Sequence, residues 1–355
     1  MVLPQKNFWK SKKVLVTGHT GFKGAWLSLY LSEMGSQVHG LALDPLGPHS
    51  LYSELALSNR LASDSRVDIR DYQRVSDLLE EIQPEVVLHL AAQAIVSEGY
   101  QFPLDTLGTN VMGTANLLEA TRQLGLPSIF ISVATDKVYE NNGAGRPFLE
   151  CDPLGGHDPY SASKAAADIV SHMFARAFLG HLGTPVGIAR AGNVIGGGDW
   201  SQDRLFPDLA RAWSSKQQLK IRFPKATRPW QHVLEPLRGY LLLAEKLAVE
   251  PEMFGPTNFG PDTEDSLSVE EVVEIATNFW QGSPGWAQEN EKPFYEAKDL
   301  SINNSRAKES LGIYPVWSSA TAIERTTRWY REYFSGAAPE DLCLDDIRAY
   351  ESDKK

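Results

Sequence analysis

One short segment limits the architecture of this chain more than any other. Gly18-His19-Thr20-Gly21-Phe22-Lys23-Gly24 stands directly after the apolar run Lys13-Val-Leu-Val-Thr17. A buried strand that turns on glycine into a helix opens a βαβ unit, and such units build parallel sheets covered by helices on both faces. The residues that follow keep the alternation. Their patterning predicts a helix over Lys23 to Met34, a strand from Gln37 to Leu43 ending at Asp44, and a third strand at Val67-Asp68-Ile69. A helix over Tyr72 to Ile82, strands at Val86 to Leu90 and Ser128 to Val133, and a long helix between them from Leu104 to Leu124 come next. A helix over Ala162 to Leu179 and a strand at Val186 to Arg190 complete the pattern. The expected class is α/β, a doubly wound parallel sheet.

After Arg190 the texture changes. Gly192 to Asp199 is glycine-rich, and Trp200 to Pro229 mixes aromatics, prolines and cations. Helical patterns return at Val269 to Trp280 and Ser319 to Phe334, and no repeat or linker separates them. The expected division is a dinucleotide-binding domain over 1–190, with 233–258 returning to it. A smaller interwoven lobe is made from 191–232 and 259–355. The charged end, Ala337 to Lys355, is open to two readings, a docked helix or a mobile tail.

Glycine lets the backbone approach a pyrophosphate, whose charge is favoured at a helix N-terminus. Asp44, at the end of the second predicted strand, suits the adenosine ribose and would repel a 2′-phosphate, so NAD is expected over NADP. A turn-forming aspartate before Pro45 is the other reading. Asp68 and Ile69 fit the adenine edge. Leu90, Ala91 and Ala92 either let the cofactor pass or pack a helix on the sheet. Charge sets limits on partners. The 355 residues carry a formal net charge of −11, which argues against general nucleic-acid or anionic-membrane binding. Two cysteines, Cys151 and Cys343, are too few for a disulfide framework, and no metal site is expected. Without a signal-like start or a membrane-length apolar run, a cytoplasmic location is expected.

The reacting groups cluster later. Thr135, Asp136 and Lys137 follow the strand at 128–133, and Tyr160 and Lys164 lie one helical turn apart on one face. An ammonium beside a phenol favours phenolate and is expected to lower the Tyr160 pKa. The Thr135 hydroxyl can polarise the same substrate oxygen.

Gly18 to Gly24, Asp44, Thr109-Asn-Val-Met-Gly113, Thr135 and Tyr160-x-x-x-Lys164 resemble the extended short-chain dehydrogenase/reductases, from about Lys12 to Tyr333. Thr135-Asp136 before a third ionisable residue is similar to the nucleotide-sugar 4,6-dehydratases of that family. Lys137, Ala189 to Trp200 and Arg228-Pro-Trp-Gln-His232 resemble its CDP-sugar branch. The resemblance implies a Rossmann-type fold, bound NAD and CDP-glucose as substrate. It also implies a redox-neutral dehydration that yields a 4-keto-6-deoxy sugar for deoxysugar and O-antigen biosynthesis. Tyr160, Thr135 and Lys164 would serve oxidation at carbon 4, and Asp136 would be the acid for departing water. Lys137 occupies the base position, but a free lysine is almost wholly protonated at neutral pH, its reference pKa being about 10.4. Base, electrostatic support for the enolate, and a salt bridge to Glu140 all remain open for it.

Gln93, Asn193, Arg204 and Arg228 are the expected substrate contacts, since arginine holds a diphosphate through paired charge-assisted bonds. Trp200, Phe206 and Trp230 either wall the sugar or belong to the core. His89 and His232 read as packing residues. Ser97-Glu98-Gly99 departs from the more basic segment that the family places before Tyr100. The two long helices suit either sheet coverage or the helix-bundle interface of relatives, so a homo-oligomer, a dimer or dimer of dimers, is expected. A nucleotide-sugar epimerase, a dehydratase for another nucleotide sugar and a non-catalytic NAD-binding regulator are the competing functions.

Overall fold

The computed structural model describes residues 2–126, 128–143, 145–252, 255–289 and 299–353. Seven parallel strands form the central sheet: β1 (Lys13–Thr17), β2 (Gln37–Ala42), β3 (Ser63–Arg66), β4 (Val86–His89), β5 (Ile129–Thr135), β6 (Val186–Ala191) and β7 (Gly255–Phe259). Their spatial order is β7-β6-β5-β4-β1-β2-β3. The order reverses between β1 and β4, and ligands of such sheets bind outside the carboxyl ends of the strands at that switch. Thr17 lies opposite His89 there, so the glycine turn after β1 and Leu90-Ala91-Ala92 after β4 leave the sheet side by side.

Two cores follow from strand alternation. Val14 and Val16 point to one face, where they join helix α1 (Phe22–Glu33) through Trp26 and Leu29. Leu15 points to the other. There it meets Leu79 of α2 (Tyr72–Ile82), Leu117 and Leu118 of the helix before β5, and Phe174 of the helix before β6. Each strand buried on both faces reads as a continuous apolar run, which made the central ones visible in the sequence.

Two expectations need correction. The third strand is Ser63–Arg66, not Val67-Asp68-Ile69. It is an edge strand of alternating half-buried and exposed polar residues, so its apolar signature sits just past its end, where Val67 and Ile69 turn inwards. The long helix expected from Leu104 to Leu124 is α3 (Pro103–Leu107), a π turn (Gly108–Met112) and α4 (Gly113–Leu124). The π turn coincides with Asn110, which is buried and hydrogen-bonds the chain near the site. Such bulges often mark functional positions.

Helix α5 (Pro159–Ala177) begins earlier than its periodicity suggests, because Asp158 caps it and Pro159 fits its first turn. Helix α6 (Leu205–Ser214) lies in the second lobe. Helix α7 (Leu234–Val249) then packs on β5 and β6 and leads into β7, which pairs with β6 in parallel. Helix α8 (Val269–Phe279) has a full capping box at Ser268, and it packs on α9 (Ser319–Phe334). The charged end forms a docked helix, α10 (Pro339–Ser352), which buries Cys343, Ile347 and Tyr350; Asp353 follows, and residues 354–355 lie outside the described ones. Among the described residues no helix is long and apolar enough to cross a membrane, and no cluster of His, Cys, Asp and Glu could hold a metal ion.

Candidate active site

A cavity of about 790 Å³ runs from the glycine turn to the second lobe, within the usual size range of ligand pockets. One end is shaped by backbone. Gly18 has φ +74°, and a β-carbon there would stand 2.9 Å from the Ala91 backbone. A β-carbon on Gly24 would overlap the Gly18 carbonyl. Thr17 Oγ1 accepts from the amides of Leu90 and Ala91 at 3.1 Å each, tying the two switch-point loops together. Thr20 donates to the Leu43 carbonyl at 3.0 Å. Gly18, Thr20, Gly21, Phe22, Lys23 and Gly24 all line the cavity, as do Leu90, Ala91 and Ala92. This close-packed turn puts the N-terminus of α1 at the cavity, the form of cradle a dinucleotide pyrophosphate fits.

Asp44 borders the same end, with its carboxylate 88% exposed and 3.3 Å from Arg66 Nε. Asp68 and Ile69 also line the cavity; Asp68 pairs with Arg70 at 2.7 Å, which holds its carboxyl below the usual range. Arg66 and Arg70 were absent from the sequence reading. Arg66 sits two residues after Asp64 on β3 and joins it, Tyr52 and His19 of the glycine turn. Asp64 and Arg66 share one side of β3, and tertiary packing brings Tyr52 and His19 to them.

At the other end β5 delivers Thr135 and α5 delivers Tyr160 and Lys164. Thr135 is the last residue of β5, and its hydroxyl bonds Asp136 Oδ1 at 3.1 Å and accepts from the Lys137 amide at 3.4 Å. The Tyr160 phenol lies close enough to the same threonine for Thr135 to act on it. Asp136 is 1% exposed, and its Oδ2 has no hydrogen-bond partner among the described residues. Burial raises its pKa, against the opposing charges of Lys137, Arg228 and Lys23 and the Thr135 hydrogen bond. A carboxyl so placed keeps its proton more readily than a solvated one. Lys137 is half-buried and lines the cavity, while Glu140 pairs with His157 at 2.9 Å.

The Tyr160–Lys164 pair departs from the expected electrostatics. Burial pushes the Tyr160 phenol up; Arg204 and the Thr135 hydrogen bond oppose it. Lys164 donates to the Val133 carbonyl at 2.7 Å, and burial lowers it to about 8. The predicted lowering of Tyr160 by its lysine is therefore not found in the protein alone, because both groups are desolvated together and the ammonium is engaged by the strand. Lys23 is also lowered to about 8, by burial first and then by Arg204 and Lys164, while Asp136 acts in the other direction. Its ammonium thus lies within reach of the reacting cluster as well as of the glycine turn. His89 bonds Thr17 and Thr114 and is pushed down to about 3 by burial, which makes it a neutral packing residue.

The second lobe closes the cavity. Asn193 and Arg204 line it, and Arg204 donates across the mouth to the Ala94 carbonyl at 3.0 Å. Arg228 is 1% exposed, donates to the Thr227 carbonyl at 2.7 Å and bears on Asp136. It lines the cavity. Gln93 donates to the Ile95 carbonyl at 2.7 Å and to Glu98 at 3.1 Å. Phe206 and Trp230 are core residues that also touch the cavity. Asn110, missed as a site residue, receives the Gln93 amide at 2.8 Å and donates to Ser163 at 2.8 Å. It belongs to the Thr109-Asn-Val-Met-Gly113 motif, and the sequence pattern there is simply helical.

A family model describing GDP-mannose 4,6 dehydratase matches residues 15–333. The chain belongs to this family. Over 345 residues it is 42% identical to a CDP-glucose 4,6-dehydratase of Salmonella typhimurium, covering 96% of this chain and 95% of that protein. It is 31% identical over 336 residues to a dTDP-glucose 4,6-dehydratase of Xanthomonas campestris pv. campestris, covering 89% and 92%. Among solved structures, MoeE5 in complex with UDP-glucose and NAD is 25% identical, with a TM-score of 0.77 over 90% of this chain and 99% of that one. Solved structures that share this fold include both dehydratases and epimerases, so the reaction must be argued from the residues of the site.

Proposed function

We propose that the protein is an NAD-dependent hydro-lyase that converts CDP-D-glucose to CDP-4-dehydro-6-deoxy-D-glucose. The observation that carries the reading is the meeting of Thr135, a buried Asp136 and Lys137 with Tyr160 and Lys164 in the cavity that begins at the glycine turn. The first group equips the site for elimination and the second for oxidation. The 42% identity to the Salmonella CDP-glucose enzyme supports the nucleotide.

Gly18 to Gly24 would hold the NAD pyrophosphate, Asp44 the adenosine ribose, and Asp68 and Ile69 the adenine. Leu90, Ala91 and Ala92 flank the passage to Tyr160 and Lys164. Bound NAD supplies a hydride acceptor at carbon 4 and a donor back to carbon 6. Tyr160 removes the proton of the 4-hydroxyl while Thr135 bonds the same oxygen. Lys164 offsets the phenolate charge that develops, a state the half-buried phenol does not hold by itself. The new ketone acidifies carbon 5, and Lys137 receives that proton or steadies the enolate. Asp136, whose burial favours the neutral carboxyl, gives its proton to the departing 6-hydroxyl. Arg204, Arg228, Asn193 and Gln93 hold the diphosphate and sugar, with Arg228 at the inner end beside Asp136.

Residues 1–190 with 233–258 form the cofactor domain in this reading, and 191–232 with 259–355 the substrate lobe. The exposed Leu104, Met112, Ile169 and Met173 on α3, the π turn and α5 fit a helix-bundle homodimer, and a cytoplasmic location suits the substrate. A panel of CDP-, UDP-, dTDP-, ADP- and GDP-glucose with GDP-mannose, each with NAD, tests the function by product mass. CDP-glucose is expected to lose one water. Dehydration of another nucleotide sugar alone would refute the CDP assignment, and an unchanged product mass would point to epimerisation.

A further inference from the structure

We propose that the buried Asp168–Arg190 ion pair positions the reaction centre: it locks the Tyr160–Lys164 face of α5 against the Thr135–Asp136–Lys137 turn and sustains the positive charge of Lys164. This inference rests on the roles proposed above for Tyr160 and Lys164. Asp168 follows Lys164 by one helical turn and Tyr160 by two, so the three side chains share a face. Arg190, on β6, grips both Asp168 oxygens, from Nε at 2.8 Å and from its second terminal nitrogen at 2.9 Å. The other terminal nitrogen donates to the Tyr139 hydroxyl at 2.9 Å and to the Glu150 carbonyl at 3.0 Å. Tyr139 stands two residues after Lys137, so one guanidinium ties the helix to the end of the reacting turn. Tyr139 in turn donates to Asn258 Oδ1 at 2.7 Å, on β7, in the register position beside Arg190.

Both charges of the pair are 2% exposed. Burying two such ions seldom stabilises a fold more than apolar packing does, so stability is a weak reason for their presence. Their place supplies a better one. Among the described residues, titratable groups from three elements act on Lys164 electrostatically: Asp168 from its own helix, Lys23 from α1 and His89 from β4. Burial holds His89 neutral and Lys23 is a like charge, while Asp168 acts on Lys164 in the direction that keeps its proton. Asp168 is thus a positioning residue that never touches substrate.

The test is the pH dependence of reductive methylation of Lys164 in the full-length protein, read by peptide mass spectrometry, beside the pH profile of cofactor reduction. Asp168→Asn is expected to move the Lys164 midpoint and the basic limb to lower pH by about one unit, and Asp168→Glu to restore both. Because Asp168→Asn leaves Arg190 buried opposite a neutral amide, the double variant Asp168→Asn/Arg190→Gln removes both charges together, and a smaller shift in the same direction is expected in it. An unmoved midpoint in either folded variant, or an equal loss of rate at every pH, would overturn the inference. A basic limb set by Lys23 would likewise stay in place. If the wild-type protein turns over no nucleotide sugar, the proposed function fails, and the methylation midpoint still decides the role of Asp168.

Discussion

The two ends of the cavity are built on different principles. The cofactor end is a matter of backbone: Gly18 and Gly24 are needed because any side chain would collide with a neighbouring loop, and its main ionic feature, Asp44, is 88% exposed. The reacting end is a matter of buried charge. Asp136, Lys164, Arg190, Asp168 and Arg228 are each under a tenth exposed, and their protonation follows from burial as much as from neighbours. Shape fixes the first end whatever the pH, whereas charge state sets the second. Substitutions should therefore behave differently at the two ends.

Removing the Tyr160 hydroxyl should have the largest effect. Tyr160→Phe keeps the ring but removes the proton acceptor, and cofactor reduction by CDP-glucose is expected to fall by about 10³-fold, read from the absorbance of the reduced cofactor. Retention of bound NAD in the purified variant would sharpen the contrast, because the backbone cradle is untouched. Lys137→Ala is expected to spare cofactor reduction and to slow solvent deuterium entry at carbon 5 by about 10²-fold. Wild-type exchange in that variant would remove Lys137 from the base position.

At the cofactor end, Asp44→Asn should do less. Loss of one exposed charge-assisted bond is expected to weaken NAD about tenfold. The discrimination against NADP should fall too, since Arg66 would lose the carboxylate that it pairs with at 3.3 Å. Titration of both cofactors measures it.

The smallest effect separates stability from activity. An unfolded lysine keeps its proton up to about pH 10.4, whereas Lys164 releases it near 8 in the fold. Between these values the unfolded chain binds more protons, so the contribution of Lys164 to stability improves as pH rises through that window. Lys164→Met removes the burial cost at neutral pH and is expected to stabilise the protein by about 1–3 kcal/mol while slowing cofactor reduction less than Tyr160→Phe does. Denaturation at pH 7 and pH 10 checks it; the gain should shrink at the higher value.

The same contrast explains what the sequence made legible. The glycine turn, the central strands and α9 announce themselves through local pattern, and their bounds fall within a few residues of expectation. The strand β3 does not, because an edge strand of Ser, Asp and Arg has no apolar face to display. The reacting residues are readable as types, since Thr135-Asp136-Lys137 and Tyr160-x-x-x-Lys164 are contiguous motifs. Their electrostatics are not. Burial of Tyr160 and Lys164 arises from elements far along the chain, and it reverses the direction expected for the phenol. Arg190 meets Asp168, and Arg66 meets Asp44 and His19, through parallel pairing and helix packing that no local spacing records.

The claim that one cavity couples oxidation to elimination is tested most directly by isotope tracing. CDP-glucose bearing deuterium at carbon 4 is incubated with the enzyme in ordinary water, and again unlabelled in deuterated water, with the products read by NMR. The account predicts that the carbon 4 deuterium is found at carbon 6 and that solvent deuterium enters carbon 5. Deuterium retained at carbon 4 of an isomerised, undehydrated sugar would contradict it.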